Sequence, residues 1–159
     1  MSPNTPKRKY TITITVDNES GVLARVVGLF SSCLYNIDSL NVSKINHKEN
    51  TSKITLTTNS NEKELCQIKK QLAKLVPVRG VKIVSEMEKS IEKELAFFKI
   101  APGLKEGFSS LLGGTRGELI HEGADACFFQ VLEKSEIIDE LMKTVEIMDI
   151  SRTGVLAID

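Results

Sequence analysis

The sequence predicts an α+β protein built from two tandem βαββαβ units. Apolar and threonine residues alternate in YTITITV, residues 10–16, which is the period of a half-buried strand. From Gly21 onward, apolar residues recur at helical spacing and form one broad face. The same succession of strand and helix patterns then occurs again after residue 93. The chain therefore divides into two halves with the same expected fold.

The first half contains six predicted elements. A helix that begins near Ser20–Gly21 follows the strand at 10–16. The other elements are strands at 36–45, 52–58 and 78–86, and a helix at 61–75, with the polar hairpin NHKENT between the second and third strands. Such a unit forms a four-stranded antiparallel sheet with two helices on one face. Its open edges can be covered by pairing with a second subunit.

The second half repeats this order. Its predicted elements are strands at 94–100, 115–123, 124–133 and 150–158, and helices at 103–114 and 135–148. Ser135 is the expected N-cap of the last helix, and the glycines at 113–114 suit a left-handed helix end. The predicted organisation is a disordered tail at 1–9, a first domain at 10–86, a charged linker at 87–93 and a second domain at 94–159.

Composition excludes several functional classes. The 159 residues carry 21 Lys and Arg and 21 Asp and Glu, so the formal net charge is zero, whereas nucleic-acid binders normally have a basic surplus. No apolar run approaches the ~20 residues that cross a bilayer. The three cysteines, Cys33, Cys66 and Cys127, are far apart in sequence. Because their neighbours are apolar, they predict buried free thiols and a cytoplasmic protein. The charge balance and the lack of a long apolar run predict no nucleic-acid or membrane partner.

The segment DNESGVLARVVGLF, Asp17 to Phe30, contains most of the candidate binding residues, and two more follow at positions 36 and 37. A helix that begins at Gly21 exposes backbone N–H groups, and a residue without a Cβ lets a small anion approach them. Asn18 and Asn36 offer amides for an ammonium or a carboxylate. The expected apolar lining consists of Val22, Leu23 and Ile37. These groups together fit a small amino acid, although Asp, Asn, Ser and Gly are also ordinary capping and turn residues.

The sequence contains no pattern typical of a catalytic or metal site. His47 and His121 have no suitably spaced ligand or nucleophile, and the P-loop, zinc-protease and C-x-x-C motifs are absent. RNA-recognition modules share the βαββαβ order but stack bases on aromatic rings of the open sheet face, where the first half of this chain has threonines. We therefore expect a binding protein without a catalytic site, metal or cofactor of its own.

The stretch DNESGVLARVVGLFSSCLYNIDSLNVSKI resembles the first ACT domain of the regulatory small subunit of acetolactate synthase (acetohydroxyacid synthase). The family pattern there runs roughly E-N-E-x-G-V-L-x-R-V-x-G-L-F-x-x-R-G-Y/F-N-I-E-S-L. The resemblance continues through QIKKQLAKLVPV, IEKELAFFKI and ISRTGVLAI, and so covers residues 10–158. It implies two ferredoxin-like domains, an N-terminal ACT domain and a C-terminal ACT-like domain.

The resemblance also implies a function. Members of the family bind the catalytic large subunit, which carries thiamine diphosphate, Mg²⁺ and FAD and condenses two 2-oxo acids. They raise its activity and confer feedback inhibition by a branched-chain amino acid, commonly valine. Their ACT domains form a homodimer, with the effector between protomers. By position, Asn18 and Gly21 would bind it, and Asn36 would reach in from the neighbouring subunit. An ACT-type sensor that serves a different enzyme is the alternative.

The chain departs from the family pattern after the first helix. Cys33 and Leu34 stand where the family usually has Arg and Gly. A glycine there would end the helix in a left-handed turn, which leucine adopts only at a cost of roughly 1 kcal/mol or more. Because Asn36 follows two residues later, this departure bears on feedback sensitivity.

Overall fold

The computed structural model describes residues 6–158, which form two compact units. The first comprises residues 6–91 together with 157 and 158, and the second comprises Glu92–Leu156. The boundary between the units therefore lies within the segment 87–93, where the sequence predicts a linker.

The first unit has the predicted βαββαβ order. Its elements are β1 (Arg8–Asp17), α1 (Val22–Ser32), β2 (Ser39–Asn46), β3 (Thr51–Ser60), α2 (Glu62–Leu72) and β4 (Val78–Ile83). The strands form one antiparallel sheet in the order β2-β3-β1-β4, which is the ferredoxin-like topology. Strand β2 is therefore one edge of the sheet, and β4 is the other.

The alternation in β1 places its apolar residues in the core but does not make the strand half-buried. Tyr10, Ile12, Ile14 and Val16 are all buried against one face of the sheet, and Thr11 and Thr13 on the other face are buried as well, so the predicted half-exposure is wrong. The helices contribute the other side of this core, through Val22, Val26 and Phe30 of α1 and Leu65, Ile68 and Leu72 of α2. Burial of each large apolar side chain contributes about 1.5–3 kcal/mol. The core therefore fixes α1 and α2 on the same face of the sheet.

The second unit repeats the fold. Its elements are β5 (Ile91–Ile100), α3 (Lys105–Leu111), β6 (Gly117–Glu122), β7 (Cys127–Glu133), α4 (Ser135–Thr144) and β8 (Asp149–Arg152). The sheet order is β6-β7-β5-β8, and a short last strand, β9 (Leu156–Ile158), also pairs with β5. Phe108 lies between Phe98 and Phe129 at centroid distances of 5.1 and 4.9 Å, and these rings form the centre of the second core.

Several predicted element boundaries are wrong. Strand β1 begins at Arg8, inside the predicted tail 1–9, because Arg8 and Lys9 continue the pairing with β3. Residues 1–5 of that tail lie outside the described part of the chain. Strand β5 begins at Ile91, three residues before the predicted start. The predicted strand 78–86 ends at Ile83 and continues as a 3₁₀ turn. The predicted strand 150–158 is interrupted at residues 153–155, where Gly154 has φ 77°.

The prediction for the last helix also needs correction. Lys134, not Ser135, occupies the N-cap position of α4, and no side chain caps this helix. Ser135 is the first helical residue, and its Oγ donates a 2.6 Å hydrogen bond to Glu94 Oε2. The helix ends at Thr144, four residues before the predicted end, and the chain is extended at Val145. A buried carboxylate therefore takes the hydroxyl that the sequence pattern assigned to capping.

Glu94 connects three parts of the second unit. Its side chain is 3% exposed and accepts from Ser135, from Nε and Nη2 of Arg152 at 2.9 and 2.8 Å, and from the backbone N–H of Gly154 at 3.1 Å. Arg152 also contacts Asp139 at 2.6 Å. Burial alone would raise the pKa of Glu94, but the bonds from Arg152 and Ser135, the Arg152 charge and the Gly154 N–H together lower it. The buried charge is therefore fully compensated.

We expect Glu94→Gln to destabilise the protein by about 2–3 kcal/mol at about pH 7, because it removes one partner of a partly buried ion pair. The folded-state pKa of Glu94 lies below its ordinary value, so this stabilisation is present above roughly pH 4.5 and is lost as the pH falls through the folded pKa. Urea unfolding at about pH 7 and about pH 3 should show the difference between wild type and variant shrinking in acid. Glu140→Gln, at an exposed ion pair, is the control and should change little. Equal stability of wild type and Glu94→Gln at neutral pH would contradict this account.

Candidate functional site

The loop before α1 leaves the start of that helix without a side-chain cap. Gly21 is the N-cap residue, no side chain among residues 6–158 accepts from the first-turn N–H groups, and the first turn contains no acidic residue. The Val22 N–H makes only a long bond of 3.4 Å, to the Glu19 carbonyl. The positive end of the helix dipole is therefore uncompensated by the first turn and suits a carboxylate.

Gly21 is required by the backbone at this point. Its φ is 80°, in the left-handed region that disfavours residues with a Cβ. A Cβ built at this position would meet no heavy atom within 4 Å, so packing does not exclude a side chain. The space beside Gly21 is therefore open among the described residues, which is compatible with a ligand at this position.

Asn18 is attached to the hairpin between β2 and β3. Its backbone N–H donates to the Asn50 carbonyl at 2.8 Å, and Asn50 Nδ2 donates to the Asn18 carbonyl at 3.2 Å. Asn50 itself has φ 50°, a conformation that asparagine tolerates better than most residues. Beside it, Arg79 donates to Asp17 at 2.6 Å. Asn50 was not predicted as a site residue, because its only signal in the sequence is an asparagine in the polar hairpin NHKENT.

Asn36 lies in the loop between α1 and β2 and is exposed. Its backbone carbonyl accepts from Thr58 Oγ1 at 2.5 Å, and its Nδ2 donates to Asp38 Oδ1 at 2.8 Å. The other oxygen of Asp38 accepts from Asn59 Nδ2 at 2.8 Å. The loop is thus attached to the last residues of β3, which the sequence pattern did not reveal.

The two asparagines lie at opposite ends of β3. Asn18 is bonded to Asn50, immediately before the strand, and Asn36 is bonded to Thr58, near its end. Eight residues of extended chain separate positions 50 and 58, which is about 26 Å at ~3.3 Å per residue. One copy of the chain therefore cannot place Asn18 and Asn36 on the same small ligand.

The three predicted lining residues have different environments. Val22 belongs to the core of the first unit, and Ile37 is half-buried against it. Leu23 is 38% exposed, and Val27, four residues further along the same helix face, is similarly exposed. Leu23 is therefore the predicted lining residue that offers most apolar surface at the helix start.

Two exposed residues of α1, Leu23 and Val27, lie on the same side of the sheet as the exposed Val42 of β2. Val42 is paired with Ile54, so both side chains point to the helix-bearing face, but Val42 is exposed because β2 is an edge strand. Ile45 is also exposed. Within the described residues, β2 pairs only with β3. An unpaired edge with adjacent apolar side chains is typical of a protein interface.

The turn after α1 is a complete Schellman motif with leucine where glycine is usual. The Tyr35 N–H donates to the Phe30 carbonyl at 2.9 Å, and the Leu34 N–H donates to the Ser31 carbonyl at 3.1 Å. The rings of Tyr35 and Phe30 meet edge to face, with centroids 6.4 Å apart, which supplies the usual hydrophobic contact of the motif. Leu34 has φ 59° and is 93% exposed. The turn is therefore kept, and Leu34 adopts the left-handed conformation that a glycine would supply without strain.

We expect Leu34→Gly to stabilise the first unit by about 0.5–1 kcal/mol, because glycine adopts this conformation without strain and the leucine side chain packs against little. Leu34→Val is the opposite control and should destabilise it, since a β-branched residue is worse at positive φ. Thermal unfolding should give the highest Tm for Leu34→Gly, an intermediate Tm for the wild type and the lowest Tm for Leu34→Val. If Leu34→Gly were less stable than wild type, the turn would not be strained.

Cys127 is buried as predicted, but Cys33 and Cys66 are exposed, so the predicted burial is wrong for those two thiols. Among residues 6–158, no cluster of three or more His, Cys, Asp or Glu could hold a metal ion. Over the same range, no helix is both long and apolar enough to cross a membrane.

The fold and the helix-start loop define an ACT-domain protein, and residues 12–80 match a family model described as the AHAS small subunit-like ACT domain. Relatives match over nearly the whole chain. The acetolactate synthase small subunit of Bacillus subtilis is 34% identical, with 94% of this chain and 89% of the relative covered. That of Buchnera aphidicola subsp. Schizaphis graminum is 31% identical, covering 92% and 96%. This chain belongs to the acetolactate synthase small-subunit family.

A solved structure shows the same fold across both domains. The acetolactate synthase small subunit of Thermotoga maritima superposes with a TM-score of 0.82 and covers 95% of this chain and 96% of its own, at 24% sequence identity. The predicted fold class, two tandem ferredoxin-like domains of the ACT type, is therefore confirmed.

Proposed function

We propose that this chain binds the catalytic large subunit of acetolactate synthase, raises its activity and makes it sensitive to a branched-chain amino acid, with valine as the first candidate. Membership of the small-subunit family supports the regulatory role and the partner. The large subunit is expected to carry thiamine diphosphate, Mg²⁺ and FAD. The assembly would act in the cytoplasm, in the biosynthesis of valine, leucine and isoleucine.

The distance between Asn18 and Asn36 within one copy is the main support for an effector site shared by two copies of the chain. A two-fold axis beside β2 would run the edge strands of two copies antiparallel. The loop at the start of β2 in one copy would then face the hairpin at its end in the other. Asn36 of one copy would lie near Asn18 and Gly21 of the second, and each dimer would hold two such sites. The exposed Val27 and Val42 would be covered by the same pairing.

The chemistry of the shared site fits an amino acid. The uncapped start of α1 suits the ligand carboxylate. Among the described residues, none donates to Asn18 Oδ1 or Asn36 Oδ1, so both oxygens can accept from an ammonium group. Leu23 offers apolar surface to a short side chain. The ligand would connect the two copies, so its binding and their arrangement are linked, and the large subunit can respond to that arrangement.

Gly21→Asp tests the site most simply, because it adds a Cβ at positive φ and a negative charge where the ligand carboxylate should bind. We expect the variant to stimulate acetolactate formation by the cognate large subunit and to lose inhibition by valine. Gly80→Asp is a matched control in β4, at the other edge of the sheet, where a Cβ also meets nothing and the φ is ordinary. It should keep both properties.

The same assay, with the large subunit alone, with this chain and with added valine, leucine or isoleucine, tests the function as a whole. If the complex with Gly21→Asp were inhibited at the same valine concentrations that inhibit the wild-type complex, the assigned site would be wrong. Absence of any stimulation by the wild-type chain would contradict the proposed partner and favour a sensor that serves a different enzyme.

A further inference from the structure

We propose that Asp38 is a positioning residue of the effector site, which turns the amide oxygen of Asn36 toward the ligand and so selects α-amino acids over the corresponding 2-oxo acids. This inference rests on the proposed function, because it assigns a chemical selectivity to the same site. Asp38 itself does not contact the ligand in this account.

The carboxylate of Asp38 bridges two side-chain amides. Asp38 Oδ1 accepts from Asn36 Nδ2 and Asp38 Oδ2 accepts from Asn59 Nδ2, both at 2.8 Å. Asn59 belongs to β3, so the bridge ties the loop before β2 to a paired strand. Each oxygen of the carboxylate therefore has a partner on a different segment of the chain.

This bridge determines which way the Asn36 amide points. A carboxylate accepts hydrogen bonds and cannot donate them, so an amide beside it must present its NH₂ group and not its oxygen. The orientation of Asn36 therefore follows from the chemistry of its neighbour. With the nitrogen engaged by Asp38, the Asn36 oxygen points away, and no described residue donates to it.

Backbone bonds hold the same loop. The Asp38 N–H donates to the Thr57 carbonyl at 2.8 Å, and Thr58 Oγ1 donates to the Asn36 carbonyl. Asn36 and Asp38 are thus both attached to β3 independently of the amide bridge. Removal of the bridge should change the orientation of one amide without releasing the loop.

An outward amide oxygen distinguishes an amine from a ketone. The ammonium group of an amino acid can donate to this oxygen, and the nearby Asp38 charge favours a cation. A 2-oxo acid with the same carboxylate and side chain presents a ketone oxygen, which is another acceptor. Two acceptors would then face each other unpaired, and such mismatches give strong discrimination. The discrimination matters because the proposed catalytic partner uses 2-oxo acids.

Calorimetric titration of the full-length chain with valine and with 3-methyl-2-oxobutanoate, its 2-oxo acid, tests the inference. In Asp38→Asn one acceptor oxygen is replaced by an NH₂ group, so the Asn36 amide can reverse. We expect valine to bind about tenfold more weakly or worse, and the preference for valine over the 2-oxo acid to fall by a similar factor. A purely structural role would weaken both ligands equally. Asp38→Glu, which keeps an acceptor-only group, should restore the preference.

Two further variants make the outcomes distinct. Asp125→Asn removes an exposed carboxylate in the second domain and should bind valine as the wild type does. Asn59→Ala removes the other hydrogen bond to Asp38, and we expect it to reduce the preference for valine over the 2-oxo acid, by less than Asp38→Asn does. This variant provides the test if Asp38→Asn does not fold. This inference would be overturned if Asn36→Ala lost valine binding while Asp38→Asn and Asn59→Ala kept the wild-type preference for valine over the 2-oxo acid. The proposed function would still stand in that case. If the wild type bound no branched-chain amino acid, the proposed function and this inference would both fail.

Discussion

The length of strand β3 determines how this protein can bind a small ligand. The hairpin that holds Asn18 precedes the strand, and the loop that holds Asn36 is attached near its end. About 26 Å of extended chain separates them, so a site that uses both residues needs two copies. Ligand binding and the pairing of copies then become one equilibrium, and that coupling is what a regulatory subunit requires. The exposed edge at β2 supplies a surface for the pairing.

The order of strands and helices was predictable from the sequence because apolar periodicity changes at each transition. The alternation in residues 10–16 and the helical spacing after Gly21 correctly locate β1 and α1, although Thr11 and Thr13 of β1 are buried where half-exposure was predicted. The ends of the elements were less predictable, because long-range hydrogen bonds decide them. Serine is a typical N-cap residue, yet the hydroxyl of Ser135 donates to the buried Glu94, which is 41 residues away in sequence. No local pattern contains that information.

In the candidate site, too, some residues were predictable from local sequence and others were not. Gly21 and Asn18 stand out because a left-handed residue and polar groups before a helix have a local signature. Leu34 was identifiable only by comparison with the family pattern, and the structure shows that the left-handed turn is kept in spite of the leucine. Asn50 and Asp38 could not be recognised, since their partners lie 32 and 21 residues away and meet them only through the register of the sheet. The residues that orient the site were therefore harder to predict than those expected to bind.

Mixing of two defective variants tests the shared site most directly. Asn18→Ala and Asn36→Ala should each bind valine about tenfold more weakly or worse, because each lacks one hydrogen bond to a charged group. After subunits exchange in a mixture, half of the dimers contain one of each variant, and each such dimer has one intact site. Titration should then find about a quarter of the sites with wild-type affinity. Asn18→Ala mixed with the double variant should regain none. If the first mixture also regained none although subunits had exchanged, the site would lie within a single copy and the account would be wrong.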